Sequence, residues 1–193
     1  MSKPVLQIVI ASTRPGRIGL PVAQWFEQAA IAHHGFEVEL IDLAEVALPF
    51  FDEPNHPRLR KYEHQHTKAW SETVDRADAY VFVTPEYNYG FNAVLKNALD
   101  YLNQEWAHKP VGFVSYGGVA AGTRAVQMLK QVITALKMVP VQASVNIPFV
   151  RQFLDDEERL QPNEIMTTSA ETMLDELLPM AVALETLRKP QDY

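Results

Sequence analysis

The stretch AYVFVTPEYNYGFNAVLKNALD, residues 79–100, is the part of this chain from which its architecture can be read. It opens with a short apolar run, typical of a buried strand, which stops at Thr84-Pro85. A polar, aromatic turn follows at residues 86–90, and a helical pattern comes after it. In open α/β proteins, ligands bind in the loops that leave the carboxyl ends of the strands. The flat rings, amide and glycine of this turn predict a site for a planar heterocycle.

Strand-like runs and helical patterns alternate along the chain. The apolar, β-branched runs span residues 5–10, 36–41, 79–83, 111–115 and 139–145. The helical patterns cover residues 20–34, 61–76, 93–106, 122–137 and 163–188. This alternation predicts an α/β fold with a parallel sheet covered on both faces. Five strands fit the flavodoxin-like, doubly wound order 2-1-3-4-5, in which the alternating run 36–41 becomes an edge strand.

Two segments interrupt this regular pattern, and two residues mark the end or a break of a predicted helix. Residues 48–66 contain several prolines and charges, and we expect an irregular surface excursion there. Residues 148–162 are acidic and predict a loop. Gly35 follows the first helical pattern and is a candidate for its C-cap. Pro179 lies inside the last helical pattern and predicts a kink or a break.

Composition and charge narrow the class of protein. The length of 193 residues and the hydrophobic content of 47% fit one globular domain over residues 1–193, with a C-terminal helical segment at about 163–188. The net charge of −7 argues against a nucleic-acid partner. The absence of cysteine excludes disulfides and zinc–thiolate sites. No apolar run approaches a signal peptide or the ~20 residues of a membrane span, so we expect a cytoplasmic protein without a membrane partner.

The loop after the first strand, residues 11–19, carries hydroxyl and guanidinium groups. Ser12, Thr13, Arg14 and Arg17 precede a helix, and backbone N–H groups at a helix N-terminus bind anions. Arginine can grip a phosphate through two parallel hydrogen bonds. A solvated basic loop is the alternative, but the position after strand 1 favours a phosphate site.

The loops after the third and fourth strands complete the pattern. Residues 84–90 contain two tyrosines, which could frame a ring or only pack on neighbours. Residues 115–122 contain three glycines, which permit positive φ angles and a close approach of the backbone, or a flexible connection. Loops after strands 1, 3 and 4 emerge at one edge of the predicted sheet. Together they predict a site for a mononucleotide with a flat ring.

Two other groups of residues bear on metal binding. His56, His64 and His66 lie in or beside the irregular segment and lack a carboxylate pattern. The acidic run 155–158 lacks the glycine-turn spacing of a calcium loop. Both are interpreted as solvated surface, and no metal is expected.

At these three loops the sequence resembles the NAD(P)H-dependent FMN reductase family, flavodoxin-like flavoproteins that include quinone and azo-dye reductases. The matching stretches are Ser12-Thr13-Arg14, TPEYN at 84–88 leading into LKNALD at 95–100, and SYGG at 115–118. The likeness covers roughly residues 4–145. It implies a bound FMN and NAD(P)H as co-substrate.

The resemblance also implies which residues contact FMN. The phosphate is expected to be held by Ser12, Arg14, Arg17, Ile18 and Gly19. The ribityl chain and the isoalloxazine ring are expected to be lined by Pro85, Glu86, Tyr87 and Asn88. The pyrimidine edge of the ring is expected to contact Tyr116, Gly117 and Gly118. No catalytic side chain is expected, because FMN carries the chemistry.

The function that follows is an FMN-dependent oxidoreductase. It would pass hydride from NAD(P)H through FMN to a small-molecule acceptor such as a flavin, a quinone or an azo compound. The family resemblance implies a homodimer or a homotetramer. A non-enzymatic electron carrier of the flavodoxin type and a flavin-based redox-sensing module are the alternatives. The sequence leaves open the acceptor and the choice between NADH and NADPH.

Overall fold

The computed structural model describes residues 2–188 and shows strands and helices in regular alternation. The strands are β1 (Val5–Ile10), β2 (Glu37–Asp42), β3 (Ala79–Pro85), β4 (Pro110–Tyr116), β5 (Val139–Pro140) and β6 (Val145–Ile147). The helices are α1 (Gly19–His33), α2 (Leu43–Val46), α3 (Gln65–Asp75), α4 (Ala93–Asp100), α5 (Thr123–Ala135) and α6 (Glu164–Arg188). Short 3₁₀ turns occur at Pro57–Leu59, Gln104–Trp106 and Val150–Phe153.

The strands form one parallel sheet in the order β2-β1-β3-β4-β5, with β6 also paired to β4. The predicted flavodoxin-like order is therefore confirmed. Every residue of β3 and β4 is buried, as expected for central strands covered on both faces. The strand β2 lies at the edge and is only partly buried. Because all strands run the same way, their carboxyl ends share one edge of the sheet.

The sheet separates two apolar cores. On one face, Ile8 and Val81 pack with side chains of α1 and α6. On the other face, Val9, Phe82 and Trp70 pack in a layer formed with α3, α4 and α5. Neighbouring residues of one strand thus serve opposite cores, as the two-residue period of a strand requires. The helices on both faces hold the strand ends, and the loops that leave them, in place.

The fifth strand differs from the prediction, which placed one continuous strand at residues 139–145. The structure divides it into β5 and β6, and both pair with β4. Between them, the backbone N–H groups of Gln142 and Ala143 donate to the Glu176 carboxylate of α6, at 2.9 Å each. These two N–H groups therefore do not donate to β4, and the strand is interrupted at Gln142 and Ala143.

Several helix ends differ from the sequence prediction. The left-handed residue after α1 is His34, with a φ of 61°, and not Gly35. Helix α3 begins at Gln65 because the carboxylate of Glu53 accepts hydrogen bonds from the N–H groups of Glu63 and His64 and keeps that stretch extended. Helix α4 stops at Asp100, and only a 3₁₀ turn follows. Helix α6 runs through Pro179 without a break.

Candidate functional site

The carboxyl ends of β1, β3, β4 and β6 open onto a cavity of about 520 Å³. This volume falls within the range of small-molecule and cofactor sites. The lining residues are Ser12, Arg14, Arg17, Ile18, Pro85, Glu86, Tyr87, Tyr116, Gly117, Gly118, Phe149, Val150, Arg151 and Gln152. Every predicted site residue except Gly19 and Asn88 is among them. The structure therefore brings the three predicted loops together.

The first loop offers an anion site at the start of α1. No side-chain hydrogen bond in the described part of the chain caps this helix at Ile18. The N–H groups of Gly19 and Leu20, in its first turn, have no intrahelical partner, and Pro21 has no N–H. Such a terminus carries partial positive charge. Arg14 is exposed, and its guanidinium makes no ion pair or hydrogen bond with residues 2–188. The buried hydroxyl of Ser12 lies 3.2 Å from the Tyr87 hydroxyl, which connects the first loop to the second.

Arg17 lines the cavity but already has partners in the protein. Its guanidinium forms a two-point ion pair with Asp42 at the end of β2, with one contact at 2.7 Å. It also donates to the backbone carbonyl of Ser12 at 2.8 Å. These bonds close the first loop and hold it against the edge strand. Arg14 is consequently the uncompensated cation of this loop.

The second loop is a tight turn. The backbones of Tyr87 and Gly90 exchange two hydrogen bonds of 2.9 Å, and the positive φ angles lie at Asn88 and Tyr89, at 50° and 71°. Positive φ at both central residues is the mark of a type I′ turn, for which asparagine is favoured. Asn88 thus shapes the turn from outside the cavity lining.

An ion pair fixes the second loop to the start of α5. The Nε of Arg124 donates to the Glu86 carboxylate at 2.6 Å, and the Arg124 backbone N–H donates to the same group at 3.2 Å. The Arg124 guanidinium also lies 3.9 Å from the centre of the Tyr89 ring. Glu86 is therefore a nearly buried carboxylate in the cavity wall, and the positive charge of Arg124 balances its negative charge. Sequence reasoning did not identify Arg124, because nothing local marks it as a partner of Glu86.

Tyr116, the last residue of β4, packs against the first residue of α1. A β-carbon at Gly19 would lie 2.7 Å from the Tyr116 hydroxyl oxygen, so only glycine allows this approach. The Tyr116 hydroxyl is buried close to the Ser12 side chain and makes no hydrogen bond of ordinary geometry within the part of the protein described. Burial raises the pKa of Tyr116, so the phenol stays neutral. An orphaned buried hydroxyl on a cavity wall indicates that a ligand atom completes its hydrogen bonding, and a polar cofactor such as FMN fits that requirement.

The glycines of the third loop play different parts from those predicted. Of the three, only Gly122 has a positive φ, at 81°, and a β-carbon there would lie 2.8 Å from the Cβ of Ser115. Gly117 and Gly118 have ordinary φ angles. A β-carbon at Gly118 would meet no atom within 4 Å, so its side faces open space. Gly122 is needed for its positive φ and its close approach to Ser115, while Gly118 places no side chain on the cavity wall.

Residues 149–152 form a fourth wall of the cavity, which the sequence analysis did not predict. The N–H groups of Phe149 and Val150 donate to the carbonyls of Gly118 and Gly117, at 3.3 and 3.4 Å. These bonds hold the 3₁₀ turn beside the third loop. No motif marks the segment, and the sequence predicted only an acidic loop over residues 148–162. Its one available signal was its position after the carboxyl end of the fifth strand.

Two further properties bear on the kind of site. Within residues 2–188, no group of three or more histidine or acidic side chains is arranged to hold a metal ion. None of the helices described there has the length and apolar character needed to cross a membrane.

Comparison with known proteins assigns the family. Residues 5–152 match the family of NADPH-dependent FMN reductases. An NAD(P)H-dependent FMN reductase of Schizosaccharomyces pombe is 40% identical over 149 residues, which are 75% of this chain and 74% of the relative. An FMN-dependent NADPH-azoreductase of Staphylococcus saprophyticus is 25% identical over 174 residues, which are 89% of this chain and 92% of the relative.

A solved structure agrees in fold. The flavoenzyme FerB, an NAD(P)H:(acceptor) oxidoreductase of Paracoccus denitrificans, superposes with a TM-score of 0.73 over 95% of this chain and 98% of its own, at 17% identity. The chain belongs to the NADPH-dependent FMN reductase family. It is an oxidoreductase, with FMN as cofactor and NAD(P)H as co-substrate.

The contact between Gly19 and Tyr116 makes a testable prediction. We expect Gly19→Ala to lower the free energy of unfolding by about 1–3 kcal/mol, because the new methyl group overlaps the Tyr116 hydroxyl. Adding Tyr116→Phe removes the overlapping atom and should restore most of the loss. Urea denaturation of the two single variants and the double variant measures both effects. Gly118→Ala is the matched control and should leave stability unchanged. Failure of Tyr116→Phe to restore stability would contradict the packing described here.

Proposed function

We propose that FMN binds in the cavity at the carboxyl edge of the sheet and serves there in the reduction of a quinone, an azo compound or a free flavin. The observation that carries this proposal is the joining, in one cavity, of an uncapped helix N-terminus beside Arg14 with the buried, unpartnered Tyr116 hydroxyl. The first feature suits a phosphate monoester. The second suits a polar atom of the remainder of the cofactor.

The residues around the cavity divide into contact and positioning groups. Ser12, Arg14 and the first N–H groups of α1 would bind the phosphate. Arg17 would act by holding the loop through Asp42 and the Ser12 carbonyl. Gly19 would act by admitting Tyr116.

The remaining predicted residues belong around the ribityl chain and the ring. They are Pro85, Glu86, Tyr87 and Asn88 on one side, and Tyr116, Gly117 and Gly118 on the other. Asn88 would act through the conformation of its turn rather than by contact.

The protein contributes binding and orientation rather than a catalytic acid. The chemistry that bound FMN would supply is hydride acceptance from a dihydronicotinamide and delivery of two electrons to the acceptor, with protons exchanged with solvent. The carboxylate in the lining, that of Glu86, is held in an ion pair with Arg124. The raised pKa of Tyr116 keeps a neutral hydrogen-bond donor on the cavity wall. Gly117 and Gly118 carry no side chain that could cover a flat ring, which leaves room for a second substrate.

The phosphate assignment predicts discrimination between flavins. Wild-type protein should bind FMN much more tightly than riboflavin. Arg14→Ala should weaken FMN binding by roughly ten- to a hundredfold, because a charge-assisted hydrogen bond contributes about 1.5–3 kcal/mol. Riboflavin binding should hardly change, since riboflavin has no phosphate. Fluorescence titration of the apoprotein with both flavins measures these affinities. Equal affinity of the wild type for both flavins would contradict the assignment.

The choice of acceptor is tested by steady-state and rapid kinetics. NADH or NADPH should bleach the oxidised flavin absorbance within the turnover time, and a small quinone should restore it. Since both substrates would use one open ring face in turn, initial rates should give parallel double-reciprocal lines. An azo dye and free FMN, tested in parallel, rank the acceptors. If neither NADH nor NADPH reduces the bound flavin, this proposal is wrong and the electron-carrier alternative takes its place.

We also propose that the protein forms a homodimer through the rim of this cavity. Phe50, Tyr89 and Phe149 are exposed by 86%, 64% and 57%, and aromatic side chains are enriched in protein–protein interfaces. Residues 48–66 would lie near the partner. Analytical ultracentrifugation at micromolar concentration should show a dimer, and Phe50→Glu should shift it towards monomer. A wild type that sediments only as a monomer would refute the dimer.

A further inference from the structure

The cavity presents positive charge at two separate places in its lining. Of its three lining arginines, Arg17 is paired with Asp42. Arg14 and Arg151 make no side-chain hydrogen bond or ion pair with any residue from 2 to 188. The lining acid, Glu86, is already neutralised by Arg124. The cavity of a protein with a net charge of −7 therefore presents two uncompensated guanidinium groups.

The two free arginines come from distant places on the sheet edge. Arg14 follows β1, and Arg151 follows β6. Strands β3 and β4 lie between β1 and β6. Three inter-strand spacings of about 4.8 Å separate the two strand ends by roughly 14 Å. Arg14 and Arg151 thus reach the cavity from loops that follow well-separated strands, and Arg151 is available for an anionic group other than the phosphate assigned to Arg14.

The backbone around Arg151 is fixed against the third loop. Arg151 lies in the 3₁₀ turn Val150–Phe153, which begins with the two hydrogen bonds to Gly117 and Gly118. The N–H of Gln152 donates to the carbonyl of Phe149 at 3.0 Å and closes the turn. Next to Arg151 in the lining is Phe149, whose ring is exposed. This wall thus presents a cation and a flat apolar side chain next to the loop assigned to the edge of the flavin ring.

We propose that Arg151 is a specificity-determining residue that binds a phosphate group of the nicotinamide dinucleotide. The inference rests on the proposed function, because it assumes that the dinucleotide enters beside the flavin. NADH carries a pyrophosphate, NADPH carries a further 2′-phosphate, and a guanidinium can hold either through paired hydrogen bonds. Quinones carry no such group, whereas free FMN as an acceptor does, so the contact is tested in the reduction of the bound flavin by the nucleotide, before any acceptor is added.

The test uses the FMN-loaded protein and three reductants. Arg151→Gln removes the charge, and Arg58→Gln is the matched control, because Arg58 is also exposed on a 3₁₀ turn and does not line this cavity. Stopped-flow reduction is measured with NADPH, with NADH and with 1-benzyl-1,4-dihydronicotinamide, which has no phosphate. Calorimetry with the non-reducing analogue 1,4,5,6-tetrahydro-NADP measures binding without turnover. Fluorescence titration of each apoprotein gives its affinity for FMN.

We expect Arg151→Gln to weaken binding of the analogue roughly tenfold or more. The second-order rate constant for reduction by the dinucleotide should fall by a similar factor. The rate with the benzyl compound and the affinity for FMN should stay within twofold of the wild type. Equal losses with NADPH and NADH assign the contact to the pyrophosphate, and a loss with NADPH alone assigns it to the 2′-phosphate.

Three results would overturn the assignment. They are an unchanged dinucleotide affinity in Arg151→Gln, an equal loss with the benzyl compound, and a weakened affinity for FMN. An equal loss in Arg58→Gln would likewise show a general charge effect and overturn it. A wild type that neither nucleotide reduces, while the benzyl compound does, would refute the proposed function itself. The two failures are therefore distinguishable.

Discussion

The contact between Tyr116 and Gly19 is the constraint on which the rest of the site depends. It joins the end of the central strand β4 to the first turn of α1, and no side chain at position 19 would fit between them. Helix α1 can therefore begin close to the sheet edge, directly after Ile18, which lines the cavity. The same contact buries the Tyr116 hydroxyl without a partner from the described residues. One packing arrangement thus places both an anion site and a neutral donor on the cavity wall.

Ion pairs decide which charges remain available to a ligand. Arg17 and Glu86 both line the cavity, but each is paired with a residue from another element, Asp42 and Arg124 respectively. These pairs hold the first and second loops in place and cancel their own charge. Arg14 and Arg151 are left uncompensated, so the cavity is locally positive in an acidic protein. A locally positive site of this kind favours phosphate-bearing ligands.

The segment between α2 and α3 is irregular but anchored. The side chain of Asn97 donates to the Pro49 carbonyl at 2.7 Å and accepts from the N–H of Phe51 at 2.9 Å. The Tyr101 hydroxyl donates to the same Pro49 carbonyl at 3.1 Å. These bonds from α4 and from the residue that follows it replace regular secondary structure in holding the backbone. They also fix the base from which the ring of Phe50 extends into solvent.

The sequence by itself determined the strand order and the three loops that meet at the cavity, because apolar runs mark buried strands and parallel strands end at one edge. The individual lining residues were implied by the family resemblance. The cap of α4 is likewise a local feature, because Asn92, a residue type that favours N-caps, accepts from the N–H of Leu95 at 3.1 Å. Only the tertiary structure decided the break in the fifth strand, the pairing of Glu86 with Arg124, and the place of Arg151 in the wall. Each depends on residues far apart in the chain, whose approach is set by packing, and a local pattern carries no information about such partners.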